Sequence, residues 1–311
     1  MPILVCGSIA YDTVMVFEDK FKLEKTSAGV LLNEYFIVPD LRRDFGGCAG
    51  NIVYNLRLLD KVSVPVSTVG MDFSAYADWL DSLGIDLRYI KEMDHTYTAQ
   101  TLSILDADGN RVTAFHPGAM MFSQYNAIRH DEKMKLAVIA PDGVEGMKTH
   151  ARQLAEAEIP FLFYPGPMLY QLDGDELLEF FAQASWLVVK ARDLAYLEAQ
   201  ARLDVARLSE RMAAVIICDG HHGARIYAQD VHYQIPSACA PPVADESGCD
   251  DAFCAGLLYG LHNELDWETT GRVAMLLWGI AAEHHGAQKH TLSFAQLQQR
   301  FQEVFGYALL A

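Results

Sequence analysis

Short, almost wholly apolar runs recur along the chain, separated by stretches in which apolar residues return every three or four positions. The runs predict strands at 3–7, 64–69, 136–140, 160–164, 186–190, 214–218 and 225–227. The longer periodic stretches predict helices at 48–59, 75–83, 147–157, 175–184, 193–201, 251–262, 268–284 and 294–305. Ser293 is placed to cap the last of these, and Asp266 stands just upstream of the one before it. Such alternation marks a sheet flanked by helices, an α/β domain.

Two stretches break that rhythm. Residues 13–45 hold apolar segments at 14–17 and 35–38 around a polar, lysine-rich middle. In residues 98–116, Asp108-Gly109 joins two β-rich arms, a hairpin signal. Together, about 13–45 and 98–116 are expected to form a small sheet outside the main one, a lid over an active site. The aromatic residues Phe17, Tyr35, Phe36 and Phe115 read foremost as packing for that sheet or for a dimer interface, with stacking on a base or shielding of the reaction from water as the alternative. Met120-Met121-Phe122 reads as filling beside it.

The 311 residues are 51% hydrophobic and suit one domain. There are 24 Lys and Arg against 41 Asp and Glu, a formal net charge of −17. With no basic block, nucleic-acid polymer and anionic membrane are not expected partners, and no segment is apolar for long enough to span a bilayer. The N-terminus has no basic flank before its apolar run and reads as a strand, not a leader. The six cysteines form no C-x-x-C pair, so reduced thiols in the cytoplasm are expected. The eleven histidines lack metal-ligand spacing. Lys22, Lys25, Arg42 and Arg43 read as solvated loop charges, and His284, His285 and His290 as helix-end residues.

Two segments carry candidate chemistry. The first is Gly46-Gly47-Cys48-Ala49-Gly50-Asn51, where two glycines allow a hinge and Asn51 offers a donor and an acceptor to a ligand hydroxyl. The second runs from Asp245 to Gly256, with Gly248, Cys249, Asp250 and Asp251 opening a helix. Amides there have no helical partner and suit a phosphate; the two carboxylates also read as capping charges. Gly7-Ser8-Ile9-Ala10 after the first strand lacks the G-x-G-x-x-G fingerprint, which disfavours a dinucleotide enzyme.

With Gly7-Ser8-Ile9-Ala10-Tyr11-Asp12 at the start and Thr68-Val69-Gly70-Met71-Asp72 between them, these segments resemble the ribokinase-like (PfkB) family of carbohydrate and nucleoside kinases. The similarity spans essentially the whole chain, and the tail from Leu265 to Gly286 is most similar to the bacterial adenosine-kinase-like branch. The resemblance implies a three-layer α/β/α sandwich with a β-sheet lid, and Mg-ATP-dependent phosphorylation of a primary hydroxyl on a sugar or nucleoside. It implies that Asp12, Gly46, Gly47 and Asn51 hold the substrate and that Asp251, ionised at pH 7, is the base. The amides of Gly248, Cys249, Asp250 and Asp251 form the implied anion hole. Lys190, Asp193, Cys218, Gly220 and Gly223 fall on the nucleotide segments, with Asp193 the one candidate to meet Mg2+, through water. A homodimer through the lid is a further implication.

The departures from the family cluster on the nucleotide side. Gly-(Ala/Cys)-Gly-Asp is Gly248-Cys249-Asp250-Asp251, so an acid replaces a glycine. Asn-x-x-Glu is Lys190-Ala191-Arg192-Asp193, and a Thr is Cys218. Asp-Pro-Gly is Tyr164-Pro165-Gly166, and His285 replaces an Arg. Two unit charges 5 Å apart repel by about 3 kcal/mol at an effective dielectric of about 20. A positive φ at Asp250 would add strain. Two readings follow. In one, Lys190 neutralises Asp250 or binds phosphate, and a working kinase has exchanged parts. In the other, a weak or inactive kinase-like protein keeps a ligand cleft. The first requires the Lys190 ammonium within about 4–6 Å of the acid or of the phosphate.

Overall fold

The computed structural model describes residues 2–26, 29–32, 36–128, 134–239 and 243–309, with backbone alone at 23–26 and 29–32. Tyr35 and the Lys25 side chain lie outside the described residues.

The first strand, Ile3–Cys6, is buried on both faces and pairs in parallel with Leu136–Ile139 on one side and Ser63–Gly70 on the other. Ile90–Met93 extends the sheet beyond Ser63–Gly70. In the other direction Phe161–Phe163, Trp186–Lys190 and Ala214–Cys218 follow in parallel, and Ala224–Ala228 and Val231–Ile235 close the sheet antiparallel, giving nine strands. Near-continuous Val, Ile and Leu runs are what a doubly covered parallel sheet requires. Alternate residues feed two cores. Ile3, Val5, Val138 and Ile216 meet the helices Cys48–Leu58, Ser74–Ser82, Cys249–His262, Trp267–Ala282 and Phe294–Phe305. Leu4, Cys6, Ile139 and Ile217 meet Val144–Glu156, Gly174–Gln183, Leu194–Ala201 and Val205–Ser209. The expected three-layer α/β/α sandwich is the observed architecture.

Helix starts follow their capping residues. The Ser293 hydroxyl accepts from the Gln296 amide in a capping box, and Asp266 accepts from the Thr269 amide.

A second sheet of four strands, ordered Asp40–Gly46, Ala10–Val16, Ala99–Leu105, Arg111–His116, projects from the first. Its hairpin turns where expected: Gly109 has φ +81°, and Asp106 accepts from the amides of Asp108 and Asn110. Phe36–Val38 is not a strand; pairing begins at Asp40 instead. The charged sequence Asp-Leu-Arg-Arg-Asp hid that strand, since its register comes from pairing with Ala10–Val16 rather than from its own hydrophobicity. Phe17, Phe21 and Phe36 pack on one another, with ring centroids 5.1–6.2 Å apart.

Candidate functional site

Ile3–Cys6 is the point at which the connections diverge. The helix Cys48–Leu58, which leads into Ser63–Gly70, covers one face, and Val144–Glu156, which follows Leu136–Ile139, covers the other. In open α/β sheets ligands settle in the crevice at the carboxyl ends of strands at such a point. Here Ser8 and Pro141 leave the two strands hydrogen-bonded at 2.9 Å. Both line a cavity of about 780 Å³ that the four-stranded sheet overhangs.

The cavity has a polar end and an apolar end. Asp12, Thr101, Asn51, Gly47, Gly248 and Asp251 line the first; Phe115, Pro117, Met120, Met121 and Met168 line the second. A smaller cavity of about 210 Å³ lies beyond, lined by Lys190, Cys218, Gly220, His221, Cys249, Asp250 and Trp278 among others. The first turn of the Cys249–His262 helix stands between them: Gly248 and Asp251 face the large cavity, Cys249 and Asp250 the small one. Gly248 takes a left-handed φ of +74° and offers no side-chain cap, which leaves the turn open to an anion.

Asp251 is buried, and its Oδ2 accepts from Asn51 Nδ2 at 2.8 Å. Its Oδ1 has no hydrogen-bond partner among the described residues. Burial pushes its carboxyl up to about 7, Asn51 pulls it back, Asp250 adds to the rise, and Cys48 and Lys190 oppose it. The carboxyl is therefore not held firmly ionised at neutral pH, as its place at a helix start implied. Desolvation outweighs the helix dipole.

Asp250 lies within the helix and carries no positive φ, so the feared strain does not arise. Its Oδ2 forms an ion pair with Lys190 Nζ, and its Oδ1 accepts from Trp278 Nε1 at 3.2 Å and meets Cys218 Sγ at 3.9 Å. Burial works against the Lys190 ammonium, but Asp250 prevails and raises its pKa. The condition for the first of the two sequence readings is met.

Asp12 sits on Ala10–Val16 opposite Asp44 and beside Thr101. Burial raises its pKa, the Thr101 hydroxyl opposes this, Asp44 and Asp245 add to it, and Arg111 opposes it. A Cβ on Gly46 would lie 2.1 Å from Asp12 Oδ2, and one on Gly47, at φ +83°, would lie 2.5 Å from the Ala10 amide nitrogen. Both glycines keep room for the carboxylate and the strand crossing. Gly46 does not line the cavity. Asp193 and Gly223 line neither cavity. Asp193 accepts from the Tyr170 hydroxyl at 2.7 Å, and Gly223, at φ +106°, turns the chain where a Cβ would strike Ile235 O at 2.3 Å. Arg42 and Arg43 are exposed, as expected, but also paired: Arg42 with Asp44, and Arg43 with Asp72 while lying over the Tyr11 ring at 3.7 Å.

Four residues that sequence reasoning missed belong to this region: Thr101, Arg111, Trp278 and Gln288. Thr101 and Arg111 lie on the hairpin arms, where period-two alternation from the turn put them on the same face. Nothing local marked Trp278 or Gln288.

Paired cavities meeting at a helix start, one mixed and one facing a lysine, define a kinase of small molecules. The sequence pattern described as pfkB family carbohydrate kinase matches residues 13–293, and the chain belongs to that family. A nucleoside kinase from Burkholderia thailandensis, solved in complex with inosine, is 40% identical, with 98% of this chain and 99% of that one covered and a TM-score of 0.89. A nucleoside kinase of Methanocaldococcus jannaschii is 24% identical over 268 residues, 86% of this chain and 88% of its own length. The ribokinase of Thermotoga maritima, 16% identical over 97% of this chain and 99% of that one, shares the fold with a TM-score of 0.81. The chain is an ATP-dependent phosphotransferase with an alcohol group as acceptor. Among the described residues no helix is long and apolar enough to cross a membrane.

Proposed function

We propose that the chain transfers the γ-phosphoryl group of ATP to the primary hydroxyl of a nucleoside. The observation that carries this is the helix start that presents Asp251 to the large cavity and Asp250, with Lys190, to the small one. A ribose fits the polar end, where Asp12 accepts from sugar hydroxyls and the remaining Nδ2 proton of Asn51 is available. A base fits against Phe115, Met121 and Met168. A free sugar would leave that apolar end unused, and the names of the relatives, nucleoside kinases, point the same way.

In the transfer, the substrate hydroxyl approaches the Asp251 carboxylate, which takes its proton as the oxygen attacks the γ-phosphorus, while the bond from that phosphorus to its bridging oxygen breaks and ADP leaves. The amides from Gly248 to Asp251 receive the charge gathering on the equatorial oxygens. Lys190, Cys218 and Gly220 border the space for the rest of the nucleotide. Magnesium is expected to accompany ATP, yet among the described residues no three His, Cys, Asp or Glu groups converge to hold a metal. Asp193 is engaged by Tyr170, and Asp250 by Lys190 and Trp278. These residues do not fit a cation held by protein, and no step is assigned to one. The outward face of the four-stranded sheet, with Leu41 and Leu102 exposed, supports a homodimer through the lid.

The test is ADP release with a panel of inosine, adenosine, guanosine, cytidine, ribose and fructose, beside calorimetric binding. Nucleosides should drive ADP release at rates at least tenfold above those of free sugars. Turnover confined to free sugars, or none with any nucleoside, defeats this reading.

A further inference from the structure

A line of buried amide groups runs away from Asp251. Asn51 Nδ2 donates to Asp251 Oδ2 at 2.8 Å, and Gln288 Nε2 donates to Asn51 Oδ1 at 3.0 Å. Gln288 Nε2 also donates to the Tyr76 hydroxyl at 2.6 Å, while its Oε1 accepts from Trp79 Nε1 at 2.9 Å. The Tyr76 hydroxyl spends its own proton on Gly46 O at 2.8 Å. Asn51, Tyr76 and Gln288 are all buried.

Direction in this line is set at its far end. An indole N–H only donates, so the atom of Gln288 facing Trp79 has to be the oxygen. The Tyr76 hydroxyl, with its proton already given to Gly46, can only accept, so the Gln288 atom facing it has to be the nitrogen. Both constraints choose one orientation of the Gln288 amide. That orientation leaves Asn51 Oδ1 facing a donor, which turns Asn51 Nδ2 towards Asp251. Reversal of Gln288 would set two donors against each other at Trp79. Reversal of Asn51 would set its oxygen against the carboxylate, which is tolerable only when Asp251 is protonated.

We propose that Gln288 is a positioning residue for phosphoryl transfer: acting through Asn51, and itself oriented by Trp79 and Tyr76, it keeps a donor on Asp251 Oδ2 and so favours the ionised carboxylate that the reaction needs. This rests on Asp251 being the base of the proposed reaction. Gly50 belongs to the same device. A Cβ there would lie 2.1 Å from the Tyr76 hydroxyl and 3.3 Å from Gln288 Nε2, so the glycine opens the helix surface through which Gln288 reaches Asn51. A donor held on the carboxylate favours its ionised form, opposing the burial that pushes Asp251 up.

The test is carbon-13 NMR titration of the Asp251 carboxyl in the full chain, the signal assigned by its loss in Asp251→Asn. Gln288→Met removes the polarity with little change of shape and no added charge. It should raise the Asp251 midpoint by about one unit. Trp79→Phe should shift it the same way by less. In an Asn51→Leu background, adding Gln288→Met should produce no further shift, because the effect travels through Asn51. The acid limb of kcat against pH should move with the midpoint, with the nucleoside KM changed less than threefold. A midpoint unmoved by Gln288→Met, or an equal shift in the Asn51→Leu background, overturns the proposal; a purely structural role would lower Tm without moving it. Should Gln288→Met fail to fold, an unmoved midpoint in Trp79→Phe overturns it. Absence of phosphoryl transfer by the parent protein would defeat the functional reading, and the titration would still decide this one.

Discussion

Lys190 and Asp250 form an ion pair in the small cavity, with Asp250 next in the chain to Asp251, the proposed base, and with both side chains about three-quarters buried. The acid that stands where a glycine was expected thus arrives with its own counter-charge. Removing the ammonium by Lys190→Met would leave the Asp250 charge facing a triphosphate. At about 5 Å and an effective dielectric of about 20, that repulsion is about 3 kcal/mol. We expect kcat/KM for ATP to fall by about two orders of magnitude. Nucleoside affinity, measured by calorimetry, should stay within threefold. A loss of nucleoside binding equal to the loss for ATP would show that the pair holds the whole site together instead.

Asp251 titrates near neutrality, since its buried carboxyl is raised to about 7. Only the ionised form can accept the hydroxyl proton. Activity should therefore fall about tenfold per pH unit below about 7 and level off above it. Asp251→Asn should reduce kcat by at least a thousandfold and leave nucleoside affinity nearly intact. Lys190→Met should move the acid limb upward, because the lysine favours the charged form of Asp251. A flat rate profile between pH 5.5 and 8, in an enzyme whose chemistry is rate-limiting, would remove Asp251 from the role of base.

Asp142 offers a separate, structural pH effect. It lies fully inside the protein just after Leu136–Ile139. Burial pushes its carboxyl up to about 8, with the Gly143 amide opposing the rise from 2.9 Å. A folded-state pKa above the unfolded value means that the folded form binds its proton more tightly. Stability is then fully present below about 4 and is lost as pH rises towards 8. Asp142→Asn keeps an oxygen for Gly143 and cannot ionise. The Tm of the variant minus that of the parent should be smallest near pH 4, grow steadily as pH rises towards 8, and level off at several degrees by pH 9. Parallel Tm curves for the two proteins would mean that Asp142 is ionised in the folded protein as it is in the unfolded chain across that range, and that burial does not raise it.

The sandwich was legible because its strands are buried on both faces and so read as continuous apolar runs. The helix starts at Ser293 and Asp266 were legible because capping is a local device. Strands at the margins were not. Ile90–Met93 is Ile-Lys-Glu-Met, half exposed, and Asp40–Gly46 carries four charges, so each owes its conformation to the strand beside it. At the site, Asp12, Asn51, Gly248 and Asp251 all reach one cavity, as the motifs implied. What sequence could not supply was the direction of contacts. Asn51 reads as a donor and acceptor for a ligand, yet its oxygen and one amide proton are engaged by Gln288 and Asp251. Likewise Lys190 and Asp250 are 60 positions apart in the chain, and only the packing of Trp186–Lys190 beside Ala214–Cys218 brings the lysine over the helix start.

Gly248 shows how closely the site is fitted to that helix start. Its φ of +74° already disfavours a side chain, and a Cβ would also lie 2.4 Å from the Ala287 Cβ. Gly109 provides the comparison, with φ +81° and nothing within 4 Å of an added Cβ. Gly109→Ala should cost about 1 kcal/mol of stability through its backbone alone and leave turnover unchanged. Gly248→Ala pays the same backbone term and must also displace Ala287, the neighbour of Gln288, or tilt the first turn of the helix. We expect it to lose a further 1–3 kcal/mol by overpacking, measured in urea, and to lower kcat at least tenfold. If the two alanine variants lost equal stability and both kept full turnover, the turn before Asp251 would be tolerant of displacement, and the close fit between Gly248 and the Ala287 loop would have no part in placing the base.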